Sequence, residues 1–325
     1  MTQNVKETIF TLNEELCTGC GKCIKACLPK VLKIVDGLCT MTESFKCLLC
    51  GECRQACPEN AITVELADSE GRPGTQERTQ KENIESLLFR PILEDLTKIM
   101  LQELGSVQVY DFEGKDIKEL DNFEIEGQPC YDRLYRTDKI EKASVSSSNF
   151  YGLTCSKAIC LTPSVEYDFP SFVMDWTEAE DAVFILCDLI PGDDPGRNKD
   201  YLTKYLYNHF DELYLKYKDI PGLEPISFHW VRAHQSPYMI TGNVDKDPGR
   251  NVDMIHECVI RYFKAWIEIW REAKPLDPDS AYMKLVNERR KVIRDTYLEN
   301  DPAAGILNKF LGDESAHTIL KLIMP

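Results

Sequence analysis

The chain has 325 residues, 43% of them hydrophobic, and a net charge of −16, a length that suggests about two domains. The acidic balance argues against nucleic acid or an anionic membrane surface as a partner. No apolar run reaches the length of a membrane span and no basic–apolar–small segment reads as a signal peptide, so the 14 cysteines are expected in a reducing cytoplasm.

Nine of those cysteines lie in the first 57 residues, and eight of them fall into two copies of one spacing. CTGCGKCIKAC holds Cys17, Cys20, Cys23 and Cys27; CLLCGECRQACP holds Cys47, Cys50, Cys53 and Cys57. Each reads C-x2-C-x2-C-x3-C, the run that ligates cubane iron–sulfur clusters in bacterial two-cluster ferredoxins. Three thiolates come from one tight loop, and the last cysteine of each run serves the other cluster. The expected sets for two [4Fe–4S] clusters are therefore Cys17, Cys20, Cys23 and Cys57, and Cys47, Cys50, Cys53 and Cys27. Gly19, Gly21 and Gly51 permit the tight backbone, and Pro58 closes the second run, whereas Leu28 intervenes before Pro29 in the first. Zinc sites use C-x2-C pairs but not a doubled four-cysteine run, and a disulfide framework needs an oxidising compartment. Cys39 reads as a small buried hydrophobe, and Cys130, Cys155, Cys160, Cys187 and Cys258 have no ligand spacing.

AITVEL (61–66) reads as the strand that closes this ferredoxin-like domain, residues 1–66. The polar, Gly- and Pro-containing stretch 67–83 reads as a linker. From Ile84 a helical period begins, with Pro91 as a first-turn residue or kink. Strands are expected at 107–112, 153–162, 169–176 and 182–190, with TEAED (177–181) as a hairpin connection, and again at 226–231 (ISFHWV) and 237–241 (PYMIT). Helices are expected at 198–218, 254–273, 280–299 and 302–322, their aromatic stripes serving as core. Short links between strands argue for an antiparallel sheet. The expected class is α+β: the two-cluster domain, then an α/β/α sandwich over 84–325 with a central antiparallel sheet.

The second domain shows no GxGxxG after a strand, no phosphate loop and no GxSxG elbow, so no nicotinamide or flavin site is detected. Its five histidines, His209, His229, His234, His256 and His317, have no metal spacing. Single electrons must reach a substrate directly, or a cofactor with no sequence signature.

Two stretches in this domain resemble the ferredoxin-dependent bilin reductases. YDFPSFVMDWTEAEDAVFILCDLIP (167–191) is similar to that family's paired central strands, D-x-P-x-x-x-x-D followed by D-L-x-P. YLENDPAAGILNKFLGDESAHTILKLIMP (297–325) is similar to its C-terminal end, where an N-D-P turn precedes an F-G-containing helix. QSPYMI (235–240) and WREAKPLD (270–277) echo its S-P-Y strand start and its A-x-P helix end. The resemblance implies an antiparallel sheet between helical layers, with the pigment between the sheet and the C-terminal helices. It also implies a reductase without organic cofactor, taking electrons singly and supplying protons from its own carboxylates.

By motif, Asp175 takes the place of the central-strand proton donor and Asp301 that of the N-D-P aspartate. Blander roles compete: Asp175 can be a strand residue facing solvent, and Asp301 a helix cap before Pro302. Asn300 is a candidate partner for a pyrrole ring, and Ser236 belongs to the S-P-Y start. The sequence departs from the family at Ala158, where several members have a histidine (the red chlorophyll catabolite reductases also lack it), and at Asn243, where many have an arginine. A propionate contact would then fall to Arg232 or Arg250. The expected activity is reduction of a biliverdin-like bilin at a CH–CH group, fed by the attached clusters and an upstream low-potential donor. The alternatives are an electron-transfer or pigment-binding subunit without catalysis, and a reductase of another conjugated substrate such as a chlorophyll catabolite.

Overall fold

A computed structural model describes residues 8–27, 30–42, 44, 47, 49, 51–66, 91–125, 127–150, 154–179, 182–247 and 249–325. The expected linker 67–83, the helical start at Ile84, Leu28, Pro29, Cys50 and the tip of the TEAED connection lie outside the described residues.

The small N-terminal domain is built around its cysteines. Strand β1 (Thr8–Leu12) is followed by the one-turn helix α1 (Lys22–Ala26), the hairpin β2 (Leu32–Val35) and β3 (Leu38–Met41), helix α2 (Glu52–Gln55) and β4 (Ile62–Leu66). β1 pairs antiparallel with β4, which holds the two cysteine runs against each other. Gly19 has φ +66°, and a Cβ there would lie 2.4 Å from the carbonyl oxygen of Gly37, so this turn accepts only glycine.

The large domain starts with α3 (Ile92–Leu104), which buries Ile92, Leu93, Leu96 and Met100 at helical spacing. There follow β5 (Val107–Val109), the small hairpin β6 (Asp111–Phe112) and β7 (Lys115–Asp116), and β8 (Phe123–Ile125). The sheet's long strands are β9 (Gln128–Thr137), β10 (Ile140–Phe150), β11 (Thr154–Pro163), β12 (Ser171–Glu178) and β13 (Ala182–Ile190). They run as an antiparallel meander, and β14 (Ile240–Asp245) returns to pair with β13 after a long helical excursion. That excursion holds α4 (Lys199–Tyr201), a π-helical turn at Leu202–Tyr207, α5 (Asn208–Tyr217) and α6 (His229–Arg232). Four helices close the chain: α7 (Gly249–Glu272), α8 (Ala281–Asn300), α9 (Ala303–Leu311) and α10 (Asp313–Ile323).

Strand alternation sorts the sheet into two faces. Phe172, Met174 and Trp176 pack with α3, α5 and α7 in one core, through Phe210, Tyr262, Phe263 and Trp266. On the opposite face Leu134, Cys160 and Val173 pack with Ile293, Tyr297, Leu307, Ile319 and Leu320 of α8, α9 and α10. This is the expected sandwich with a central antiparallel sheet. Among the described residues, no helix is long and apolar enough to cross a membrane.

Four expectations need correction. PYMIT is not a strand throughout: Pro237 and Tyr238 lie in a turn, and β14 begins only at Ile240. ISFHWV is not a strand: Phe228 is extended, but His229–Arg232 form a helical turn. Its alternation comes from Phe228 and Trp230 stacking on each other, ring centroids 5.7 Å apart, rather than from a pleat. The helix at 302–322 is two helices, because Gly312 adopts φ +79° and turns the chain between α9 and α10. The strand at 107–112 is split between β5 and the β6–β7 hairpin.

Candidate functional site

Asp175 lies mid-strand on β12 and faces the C-terminal helices, as Val173 two residues earlier does. Thr177 and Ser156 both donate hydrogen bonds to its Oδ1, at 2.9 and 3.4 Å. Burial pushes its carboxyl up to about 6, with the two hydroxyls opposing. Directly opposite on β11 stands Ala158, so the position that the family resemblance marks for a histidine carries only a methyl group beside the acid.

Asp301 follows the last residue of α8 and opens the turn into α9. Its Oδ1 accepts the backbone N–H of Ala303 at 2.7 Å, so the capping role is real. Burial pushes this carboxyl up to about 7, and the charge of Asp175 adds to the shift. The charge of Asp175 reaches Asp301, which puts the two carboxyls in one neighbourhood between the sheet and the C-terminal helices. Tyr297, one turn earlier on α8, is buried; its hydroxyl is raised first by that burial and further by the charges of Asp188 and Asp301. Trp230 meets its ring edge-on at 4.9 Å, giving this space an aromatic wall.

The other sequence candidates are placed differently. Ser236 is buried, and its Oγ donates to Asp188 Oδ1 at 2.5 Å while its N–H donates to Oδ2 at 3.0 Å. Its hydroxyl holds β13 to the S-P-Y turn. Asn300 is exposed and donates to the carbonyl of Thr296 at 2.9 Å, pointing back along α8. Arg232 and Arg250 are exposed, and Arg250 sits in the first turn of α7, the helix on the other face of the sheet. Arg250 therefore lies across the sheet from Asp175, whereas Arg232 and Asn300 belong to elements on the same side as it.

In the small domain, Cys17, Cys20, Cys23 and Cys57 line one pocket together with Gly19, Gly21 and Cys39. Cys39 Sγ lies 3.4 Å from Cys23 Sγ, so this cysteine is nearer the cavity than a plain packing residue would be. Cys27, Cys47 and Cys53 form a second group: burial pushes the Cys53 thiol up to about 12, and the nearby Cys47 and Cys27 thiols add to it. Among the described residues no three such side chains converge on a single metal ion. A cubane is larger than an ion, and thiols standing around a cavity fit it.

The second cysteine run is docked on the large domain beside Asp301. Lys309 of α9, 4% exposed, donates to the carbonyl of Cys47 and to Thr8 Oγ1, the latter at 3.1 Å. Gly305, one turn earlier, backs onto Leu49: a Cβ there would lie 2.5 Å from the Leu49 carbonyl oxygen. Burial pushes Glu52 of α2 up to about 7, and the charge of Asp301 adds to it, which puts these two carboxyls in one neighbourhood. Lys309 carries a sequence signal, a lone cation in the apolar stretch AAGILNKFL, but nothing local says what it meets.

Known proteins match this picture in two parts. The 4Fe–4S binding domain family matches residues 10–27 and 44–63. Phytochromobilin synthase from tomato, solved in complex with biliverdin, is 17% identical, with 71% of this chain and 80% of that chain covered and a TM-score of 0.62. The large domain has the phytochromobilin synthase fold. The chain thus joins a 4Fe–4S binding domain to a domain of the bilin-reductase fold, the combination that its sequence resemblance implies. A solved structure of PcyX is 15% identical over 71% of this chain and 95% of that chain; its TM-score of 0.43 is too low to carry an argument. No curated protein matches the sequence.

Proposed function

We propose that this protein reduces a linear tetrapyrrole of the biliverdin type and carries its own electron supply. One cluster is assigned to Cys17, Cys20, Cys23 and Cys57, the other to Cys27, Cys47, Cys50 and Cys53. When bound, such clusters supply electrons one at a time. Their ultimate source is an upstream low-potential donor, and thiolate ligation fits a reducing cytoplasm. Residues 1–66 and 84–325 are taken as the two functional units, joined by 67–83.

Reducing one carbon–carbon double bond takes two electrons and two protons, so the pocket must furnish acids. Asp175 and Asp301 are suited to the task, because burial holds both carboxyls near neutrality, where an acid can keep its proton and still release it. Thr177 and Ser156 occupy Oδ1 of Asp175, so the proton of the neutral acid is carried on Oδ2. The Ala303 N–H fixes Asp301 in the same one-sided way. Tyr297 and Trp230 supply an apolar, aromatic wall for a flat conjugated ligand. Tethering supplies the donor at high effective concentration, so no basic face for a diffusing acidic partner is needed.

The observation that carries this reading is the meeting of three features at one place. Two raised carboxyls lie in one neighbourhood, in a fold shared with phytochromobilin synthase, beside the docked cysteine run. Its test is to load the clusters anaerobically, add biliverdin and a low-potential reductant, and record visible spectra. Loss of the biliverdin band with growth of a new product band supports the reading. A shift without turnover replaces it with a pigment-binding role, and no spectral change removes the bilin altogether.

A further inference from the structure

Cys39 is the one cysteine of the small domain that neither run uses, and the structure sets it against a cluster ligand. Its Sγ lies 3.4 Å from Cys23 Sγ, it is 2% exposed, and it lines the same pocket as Cys17, Cys20, Cys23 and Cys57. It is the one buried residue of β3. The strand that carries it is fixed at both ends. Gly37, in the turn before β3, puts its carbonyl oxygen 2.4 Å from where a Cβ of Gly19 would stand, so this turn rests directly on the loop between Cys17 and Cys20. After β3, the Thr42 N–H and hydroxyl both donate to the Val31 carbonyl, at 2.8 and 3.1 Å. The contact between the two sulfurs is therefore built into the hairpin.

The chemistry of the pair assigns its hydrogen. A cysteine that ligates iron does so as a thiolate and has no proton. A free thiol, with an ordinary pKa of about 8.5, keeps its proton at neutral pH. Once Cys23 holds iron, the S–H of the contact must come from Cys39 and point at the Cys23 sulfur. Reduction adds negative charge to a cluster and its ligand sulfurs. A donor to one of those sulfurs stabilises the reduced state more than the oxidised one and raises the potential. Backbone donors serve the two sets alike: the N–H of Ala61 reaches Cys57 Sγ at 3.3 Å, and that of Leu49 reaches Cys47 Sγ at 3.5 Å. A side-chain thiol serves the first set alone, because the next cysteine outside the two runs is Cys130, in β9 of the large domain.

We propose that Cys39 acts through Cys23: its S–H donates to the Cys23 sulfur and raises the reduction potential of the cluster assigned to Cys17, Cys20, Cys23 and Cys57, without moving that of the other. This rests on the two-cluster reading given above and is independent of the pigment.

The test is a potentiometric titration of the cluster-loaded full-length protein, followed by electron paramagnetic resonance, for wild type, Cys39→Ala, Cys39→Ser and Cys39→Val, with iron content measured on each. Alanine removes the donor. It should retain the wild-type iron content, and the reduction equilibrium of one cluster should fall about threefold to tenfold, a drop of roughly 30–60 mV for one electron, while the other cluster stays in place. Valine, which fills the space without a donor, carries the same expectation should the alanine variant fail to fold. Serine keeps a hydroxyl donor and should stay within about twofold of wild type. An alanine or valine variant with both potentials unchanged would overturn the proposal and leave the two-cluster reading standing, even if its melting temperature fell, because packing alone moves stability and not potential. So would loss of iron in the alanine variant, which would make Cys39 a ligand, or a serine variant shifted as far as alanine. A wild type that takes up no iron on reconstitution ends both.

Discussion

At pH 8 the Asp175→Asn variant is expected to be more stable than the wild type and close to inactive. Burial raises the Asp175 carboxyl from 3.8 to about 6, so the folded state binds its proton more tightly than the unfolded chain does. The sign follows by linkage. Below 3.8 the group is protonated in both states and costs nothing; stability falls as pH rises through that window, and above 6 the full cost of the buried charge is present. The shift is worth about 3 kcal/mol at most, and partial exposure of the side chain trims it to about 2 kcal/mol. Asparagine removes the charge at nearly constant shape, and its Oδ1 still accepts from Thr177 and Ser156. The melting temperature at pH 8 should rise by roughly 4–8 °C, with about half of that gain gone at pH 5. Turnover should fall by about 10²–10⁴, the worth of a positioned general acid. Thermal melts at the two pH values, together with anaerobic turnover, check all three numbers. A stability gain over wild type that is no larger at pH 8 than at pH 5, or undiminished turnover, would refute the reasoning.

Asp301→Ala should lose both turnover and the cap on Ala303, with about 1 kcal/mol of stability, whereas Asp301→Asn should lose turnover and keep the cap; melting curves beside activity separate the two. If the last cysteine of each run crosses over, Cys57→Ala combined with Cys20→Ala should lose no more iron than either change alone. Cys57→Ala combined with Cys53→Ala should lose both clusters, as iron analysis and electron paramagnetic resonance would record. Lys309→Met removes the charged donor to Cys47 and Thr8, and should slow discharge of reduced clusters into the pigment by about tenfold or more without changing iron content, as stopped-flow absorbance would show. Equal discharge rates would show that this contact does not set the distance.

The parts legible in the sequence are those fixed by local rules. Cluster ligation is a matter of spacing, and the run 182–190, apolar but for Asp188, is a strand to the residue because both faces of β13 are covered. Asp175 stood out as the lone charge in an apolar strand. What escaped depends on partners far away in the chain. β9 and β10 carry no strand signature in the sequence, because QPCYDRLYRT and IEKASVSSSNF mix charge and serine with few apolar residues. Phe228 and Trp230 imitated a strand because both bury into the helical layer, and α9 ran on into α10 on paper because one glycine's left-handed turn leaves no gap in the apolar pattern. The docking of the Cys47 run on α9 rests on Gly305 and Lys309, whose partners lie some 260 residues earlier in the chain. No periodicity encodes such a contact.

The central claim is that electrons pass within one chain from the cysteine-rich domain to a pigment held beside Asp175 and Asp301. The direct test is to reduce the cluster-loaded protein, remove all free reductant and other carriers, and mix it with biliverdin in a stopped-flow cell. The expected result is recovery of the oxidised iron–sulfur absorbance in step with loss of the biliverdin band, at a rate independent of protein concentration once pigment is bound. Clusters that stay reduced beside bound biliverdin, or a pigment that reacts only when a separate reduced ferredoxin is added, would contradict it.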